Sequence, residues 1–256
     1  MIIPYGVDVP MRRVPVANWL LILGTCVVSL AVWLSPRPAV TIRVPGNLDT
    51  VIVQMQGETI PALALQPGKF AITQLFTHVL VHGDVVHLLG NMLFLFVFGN
   101  AVNAKVGHAV YLFCYFLLGA MGGVAWMMFG EGLPMVGASG AISGIIGMFL
   151  VFFPRNDIRI LLFWEFAWQV FSLSSIWVVC FYMLWDLIGT LFLAGSGIAY
   201  VTHLAGGCLG IGVGMIMALS IFGPEPYERS LPQMLGWQER EDDDMTLRLR
   251  LRGRLK

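Results

Sequence analysis

The sequence predicts an all-α membrane protein, a bundle of six transmembrane helices with both termini in the cytoplasm. Hydrophobic residues make up 57% of the chain and charged residues only 12%, and the mean hydropathy is +0.79, which lies outside the usual range of soluble domains. The charges are concentrated near the two ends and in short interruptions, so the apolar runs between them are long enough to cross about 30 Å of hydrocarbon. These runs do not alternate between polar and apolar residues, which favours helices over a β-barrel.

The predicted spans are six apolar runs, at residues 17–34, 85–104, 108–130, 137–153, 173–195 and 199–222. A weaker run at 158–170 carries Glu165 and two tryptophans. It is too short to span comfortably, so we expect it at the membrane interface, with a seventh span as the alternative. The chain then divides into a cytoplasmic N-terminal segment (1–16), a six-span membrane domain (17–222) with an outer loop (35–84), and a cytoplasmic C-terminal tail (223–256).

The orientation follows from the basic residues. One side of the predicted membrane carries most of them: Arg12, Arg13, Lys105, Arg155, Arg159 and those of the tail. The other side carries only Arg37, Arg43 and Lys69, which predicts cytoplasmic termini and fits a bacterial inner (plasma) membrane protein. The Arg12-Arg13 pair also occurs in twin-arginine signals, but no small-x-small cleavage site follows it, so a retained first span is favoured.

The segments outside the spans carry few further signals. In the outer loop, "TIRV" and "TVIVQM" flank a "PGNLD" turn signal and could pair as a hairpin. The tail reads "EREDDD" and then "LRLRLRGRLK", which fits either a solvated, partly disordered end or adhesion of its basic part to anionic lipid. The net charge of zero argues against a nucleic-acid partner.

The four cysteines lie in different predicted spans, without C-x-x-C spacing: Cys26, Cys114, Cys180 and Cys208. We expect reduced, buried thiols rather than a disulfide framework or a zinc site.

Polar residues within the spans are costly and are therefore functional candidates. His87 and Asn91 are four residues apart near the start of the second span, Ser139 opens the fourth, and His203 lies near the start of the sixth. With the N terminus inside, all three spans start on the outer side, so these four side chains share one shallow layer. Gly140 and Gly144, and the series Gly206, Gly210 and Gly214, either serve only helix packing or bring Ser139 beside His203.

A serine within hydrogen-bond reach of a histidine forms a nucleophile with its general base. Ser139 at a helix start also has free backbone N–H groups to stabilise an oxyanion, and His87 and Asn91 could donate further bonds to it. No acidic residue is near His203 in sequence, which indicates a dyad. Asp186, in the fifth span, could orient a catalytic group or form a helix–helix hydrogen bond.

Three stretches together resemble the rhomboid intramembrane serine proteases over residues 70–214. They are "HVLVHGDVVHLLGNMLFLFVFG", "GASG" and "HLAGGCLG". The resemblance implies that Ser139 is the nucleophile, that His203 is its base, and that His87 and Asn91 form the oxyanion site with the Ser139 backbone N–H. It also aligns His78 and His82 with histidines for which we favour structural or water-retaining roles, whereas His108 is expected to be interfacial and uninvolved.

The resemblance implies a rhomboid-like six-helix fold and cleavage of transmembrane segments of single-span or other membrane proteins near the outer face. No metal or organic cofactor is implied, the bilayer is the other partner, and the oligomeric state stays open. The chain departs from the family pattern at three places. Phe70-Ala71 stands near where a Trp-Arg pair is common, Asn103 where a Glu is usual, and Ser143 where an aromatic ring often supports the base.

Other classes fit less well. The "GASG" stretch lacks the second glycine of the G-x-S-x-G turn of α/β-hydrolases. A transporter or channel could use the intramembrane polar residues, but no pair of broken helices is repeated and the polar groups gather at one depth. A catalytically silent relative would not need the complete set of Ser139, His203, His87 and Asn91.

Overall fold

The computed structural model describes residues 2–11, 13–35, 39–43, 50–54, 62–164, 167–193, 196–222 and 229–238. Its main body is a bundle of the helices α1 (Val16–Leu34), α2 (Val85–Val106), α3 (His108–Phe129), α4 (Ser139–Phe152), α5 (Ser175–Phe192) and α6 (Tyr200–Phe222). These bounds lie within a few residues of the six predicted runs. Within the described ranges, five of the helices are long and apolar enough to cross a membrane, and α4 is shorter.

The described residues of the weaker run at 158–170 lie in strands, so this run is not a seventh helical span, and its place at the membrane interface stays a prediction. Strand β4 (Asp157–Trp164) pairs antiparallel with β5 (Ala167–Ser174) and, on its other edge, with β1 (Ile2–Val7). The fold is therefore mostly helical but not all-α. Ile158 and Ile160 are buried while Arg159 between them is exposed, the alternation of a half-buried strand. Glu165 lies outside the described residues.

A hairpin in the long loop after α1 was predicted correctly. Strands β2 (Ala39–Arg43) and β3 (Thr50–Gln54) pair antiparallel, with Ala39 opposite Gln54. The turn residues 45–49, and residues 239–256 with the acidic and basic runs of the tail, lie outside the described part of the chain.

Helix α4 lies at the centre of the bundle and packs mainly against α6 and α3. Glycines bring the backbones of α4 and α6 into direct contact. A methyl group added at Gly206 or Gly210 would overlap the backbone carbonyl oxygen of Gly140 or Gly144, respectively. Small residues permit this approach between membrane helices, and it brings the start of α4 close to the start of α6.

A buried polar cluster connects α1 to α2 and α3 at the end of the bundle opposite the start of α4. Helix α2 contains a π-helical turn at Leu95–Gly99, which changes the pairing of the backbone carbonyls. The Asn18 side-chain amide donates to the carbonyl of Leu95 at 2.9 Å and to Asn100 Oδ1 at 2.8 Å. Asn103 Oδ1 accepts the backbone N–H of Asn18 at 3.2 Å. Asn103, which stands where the family usually has a Glu, therefore has a role in helix packing.

The four cysteines are all free thiols. Cys114 is buried and Cys26 is partly buried, but Cys180 and Cys208 are exposed on the surface of the bundle. The expectation that all four are buried is therefore wrong for those two. They lie on α5 and α6, where apolar side chains point outward.

Candidate active site

The loop before Ser139 is bound to the segment between α1 and α2 through its backbone. Gly137 has φ +125°, a conformation that favours glycine, and a methyl group there would lie 2.7 Å from Cε1 of His87. The Gly137 N–H donates to the carbonyl of His78 at 2.9 Å, and the Ala138 N–H donates to His82 Nε2 at 3.4 Å. These contacts determine where α4 begins.

The structure brings Ser139 and His203 together. Ser139 is the first residue of α4 and His203 lies in the first turn of α6. The Ser139 hydroxyl is 2.8 Å from His203 Nε2, a hydrogen-bond distance. Because the two helices meet through their glycines, this contact joins residues that are 64 positions apart in sequence.

A carboxylate lies on the other side of the His203 ring. Asp186 Oδ1, on α5, is 3.1 Å from His203 Nδ1, and both side chains are mostly buried. The sequence analysis inferred a dyad because no acidic residue is near His203 in the chain. In the folded protein, His203 lies between Ser139 and Asp186.

His87 and Asn91 lie on the face of α2 that points towards Ser139. Both line the same cavity as Ser139. The side-chain nitrogen Asn91 Nδ2 is buried and has no hydrogen-bond partner among the described residues. Buried donors are nearly always paired, whereas this N–H₂ group, on a residue that lines the cavity, is a donor without a partner among the described residues. Asp84, which the sequence analysis did not consider, caps α2 by accepting the His87 backbone N–H at 2.9 Å.

These side chains line one open cavity with a volume of about 780 Å³. Its walls come from helices α2 to α6 and from the loops that precede α4 and α6. Apolar side chains such as Phe94, Ile142 and Ile146 line it together with Ser143, one turn after Ser139. The cavity thus combines an apolar wall with a few convergent polar groups, as binding sites commonly do.

His78 and His82 lie behind the site rather than in it. The His78 Nδ1–H donates to the carbonyl of Gln74 at 2.7 Å, and burial lowers its pKa. His82 is completely buried. Burial lowers the pKa of His82 to about 4, with His87 adding to the effect and Asp84 opposing it. These contacts are structural, and the structural or water-retaining roles expected for both histidines stay predictions.

His108 lies outside the site, at the start of α3. It is exposed, and its Nδ1 is 3.2 Å from the Asn103 side-chain amide. Among the described residues, no group of three or more His, Cys, Asp or Glu side chains could hold a metal ion.

Comparison with known proteins identifies the family. Residues 69–220, more than half of the chain, match the Rhomboid domain. YdcA of Bacillus subtilis, whose name places it with the rhomboid proteases, is 33% identical over 141 residues, which cover 54% of this chain and 63% of that protein. The rhomboid protease GluP of B. subtilis is 36% identical over 77 residues, 30% of this chain and 15% of GluP.

A longer match covers most of the chain. The rhomboid protease GlpG of Salmonella typhi is 22% identical over 217 residues, 85% of this chain and 68% of GlpG. The chain therefore spans less than two thirds of the length of YdcA and GluP and slightly more of GlpG. With its apolar helices and its match to the Rhomboid domain, the chain is a multi-pass integral membrane protein that belongs to the rhomboid family.

Proposed function

We infer that this protein is an intramembrane serine endopeptidase, which cleaves transmembrane segments of membrane proteins near the outer membrane face. The observation that carries this inference is the hydrogen bond between Ser139 and His203 in a cavity at the start of α4. A hydroxyl bonded to an imidazole nitrogen is the arrangement of a serine nucleophile with its general base.

The first half of the reaction forms an acyl-enzyme. Ser139 Oγ attacks the carbonyl carbon of the scissile peptide while its proton passes to His203 Nε2. The carbonyl oxygen becomes an oxyanion, which accepts bonds from the Ser139 backbone N–H, His87 and Asn91. His203 then gives the proton to the amide nitrogen, the C–N bond breaks, and the new amine leaves.

The second half of the reaction hydrolyses the acyl-enzyme and releases the carboxylic acid product. Water attacks the ester carbonyl and transfers a proton to His203, the oxyanion forms again at the same donors, and collapse of the intermediate returns the proton to Ser139 Oγ. The unpaired Asn91 amide supports the oxyanion assignment, because a preorganised donor needs no rearrangement when the charge develops. The His87 ring lies beside Gly137, where an added methyl group would be 2.7 Å from its Cε1.

The substrate must present an extended backbone to Ser139, which is costly in lipid. We therefore expect substrates with small or helix-weakening residues at the cut. The proposal also places six spans in a bacterial inner membrane, with both termini in the cytoplasm. The starts of α2, α4 and α6 would then lie on the outer side.

The test is cleavage of a single-span substrate by the purified protein in liposomes. We expect Ser139→Ala and His203→Ala to abolish cleavage. Asn91→Ala should reduce kcat on the order of 10²-fold, as expected for the loss of one oxyanion donor. Ser172→Ala, on the exposed strand β5, and His108→Ala are the matched controls and should cleave normally. Cleavage that survives Ser139→Ala would disprove the proposal, and solute flux unchanged by that substitution would favour a transporter.

A further inference from the structure

We propose that Asp186 is a positioning residue for the general base, so that the reacting group is a Ser139–His203–Asp186 triad rather than a dyad. The inference rests on the proposed function and adds a residue to its mechanism. Asp186 does not contact the peptide. It acts by orienting the His203 ring and by determining which of its nitrogens carries the proton.

The geometry determines the tautomer of the ring. A neutral imidazole has one N–H donor and one acceptor nitrogen, and an ionised carboxylate can only accept. With Asp186 Oδ1 at 3.1 Å from Nδ1, the proton belongs on Nδ1. The lone pair of Nε2 then faces Ser139 Oγ at 2.8 Å. This is the tautomer that can take the proton from the hydroxyl.

Asp186 is also the only charged residue of α5. A carboxylate within a membrane helix carries a large desolvation cost unless it has a partner. Its side chain is 17% exposed, and its Oδ1 lies 3.1 Å from His203 Nδ1. The other polar contact at this position is made by its backbone, whose carbonyl accepts from Thr190 Oγ1 at 2.8 Å.

The packing of α5 on α6 places the side chains of Asp186 and His203 at the same level along the two helices. Gly189 lies one turn after Asp186 and contacts the ring of Tyr200, which any Cβ at position 189 would overlap. Tyr200 lies one turn before His203 on the facing helix, and its ring meets the His203 ring edge-on with centroids 6.3 Å apart. Residues three apart share a helix face, so the Gly189–Tyr200 contact also sets the distance between Asp186 and His203.

A purely structural hydrogen bond between α5 and α6 predicts a different outcome of mutation. It would lower the stability of the protein without changing the turnover of the molecules that remain folded. A positioning role lowers kcat in folded protein, because the ring then populates the wrong tautomer or orientation, and it leaves KM unchanged.

The experiment compares Asp186→Asn with Thr190→Val, which keeps the carboxylate and removes a hydroxyl one turn away. For Asp186→Asn we expect kcat to fall on the order of 10²-fold, a typical contribution of general-base catalysis, with KM unchanged. A fluorophosphonate that labels Ser139 should react more slowly by a similar factor, which tests the nucleophile without a protein substrate. Thr190→Val should match the wild type in both assays.

The second measurement is made on the wild type and does not depend on the variant folding. In nitrogen NMR spectra of the protein with labelled histidine, the signals lost in His203→Gln report the tautomer of that ring. We expect protonated Nδ1 and unprotonated Nε2. The opposite tautomer, or an Asp186→Asn protein with normal kcat and labelling rate, would overturn the proposal.

The two proposals can fail separately. A wild type that neither cleaves the substrate nor reacts with the fluorophosphonate refutes the protease function, whatever the tautomer. A wild type that does both, with an Asp186→Asn variant that is folded and fully active, refutes only the role of Asp186.

Discussion

His82 connects three separate parts of the chain through one ring. Its Nε2 accepts the N–H of Ala138, the residue before Ser139, and its Nδ1 is 3.2 Å from the Ser29 hydroxyl on α1. Since Nε2 accepts, Nδ1 must carry the proton and donate to Ser29, whose hydroxyl can then donate to the carbonyl of Leu80 at 3.2 Å. The chain of bonds requires a neutral ring.

The stability of the protein should therefore fall with acidification. In the folded protein the pKa of His82 is lowered from 6.5 to about 4, so the unfolded state takes up a proton before the folded state does. The stabilisation is complete above pH 6.5 and is lost as the pH falls towards 4, by up to about 3 kcal/mol. Burial lowers the pKa of His78 as well, which acts in the same direction.

Thermal unfolding in detergent between pH 8 and pH 4 would measure this effect. We expect the melting temperature to fall steeply below about pH 6.5. The pH dependence should be weaker in His82→Gln and unchanged in His108→Gln, because His108 is exposed. An equally steep fall in His82→Gln would assign the pH dependence to other groups.

Single residues of the site differed in how far they could be predicted. Ser139, His203, His87 and Asn91 belong to local motifs, and the shared depth of three helix starts indicated that they meet. For Asp186 the sequence left two roles open, orienting a catalytic group or a helix–helix hydrogen bond. Its contact with His203 could not be chosen from the sequence, because it depends on the packing of Gly189 against Tyr200 between two helices. The available signal was a lone carboxylate in an otherwise apolar helix.

The interface between helices α4 and α6 brings Ser139 and His203 together. Its glycines have no space for a side chain where the backbones meet, whereas Gly212, on the same helix α6, faces open space. The two glycines Gly210 and Gly212 thus differ in environment but not in local secondary structure.

We expect Gly210→Ala to destabilise the protein and to reduce cleavage. The added methyl group would overlap the Gly144 carbonyl, and relieving an overpacked contact typically costs about 1–3 kcal/mol. Moving the helices apart would also lengthen the Ser139–His203 hydrogen bond. The melting temperature and cleavage rate of Gly210→Ala should both fall, and those of Gly212→Ala should not. Equal behaviour of the two variants would contradict this account of the interface.

The elements themselves were predicted unevenly. Long apolar runs bounded by charges located all six helices. The strands within 158–170 were not predicted, because hydropathy alone does not distinguish a short apolar helix from strands. Its partner β1 is at the opposite end of the sequence, so the sheet could not be inferred from local pattern.

For the entire chain, the sheet provides an argument about topology. Strand β1 precedes α1 and pairs with β4, which follows α4. The N terminus and the connection between α4 and α5 must therefore lie on the same side of the membrane. This requires that the chain between them crosses the membrane an even number of times. Four crossings by α1 to α4 satisfy this condition and agree with the proposed six spans.

Cysteine labelling in cells can test this arrangement. In a variant without native cysteines, Tyr5→Cys, Ser172→Cys and Phe70→Cys each place a thiol at an exposed position. We expect a membrane-impermeant maleimide to label Phe70→Cys in intact spheroplasts and to label the other two only after lysis. Labelling of Tyr5→Cys and Phe70→Cys from the same side would refute the proposed topology.

Helix α4 is too short to cross a bilayer alone. Its 14 residues extend about 21 Å at 1.5 Å per residue. The helix is therefore roughly 9 Å shorter than a hydrocarbon layer of about 30 Å. The open cavity lies at the Ser139 end of the helix, and in the proposed topology this is the end that would stop short of the outer membrane face. The proposed hydrolysis would consume a water molecule that lipid cannot supply, and a recessed helix start would let solvent reach Ser139 without a separate channel through the bundle.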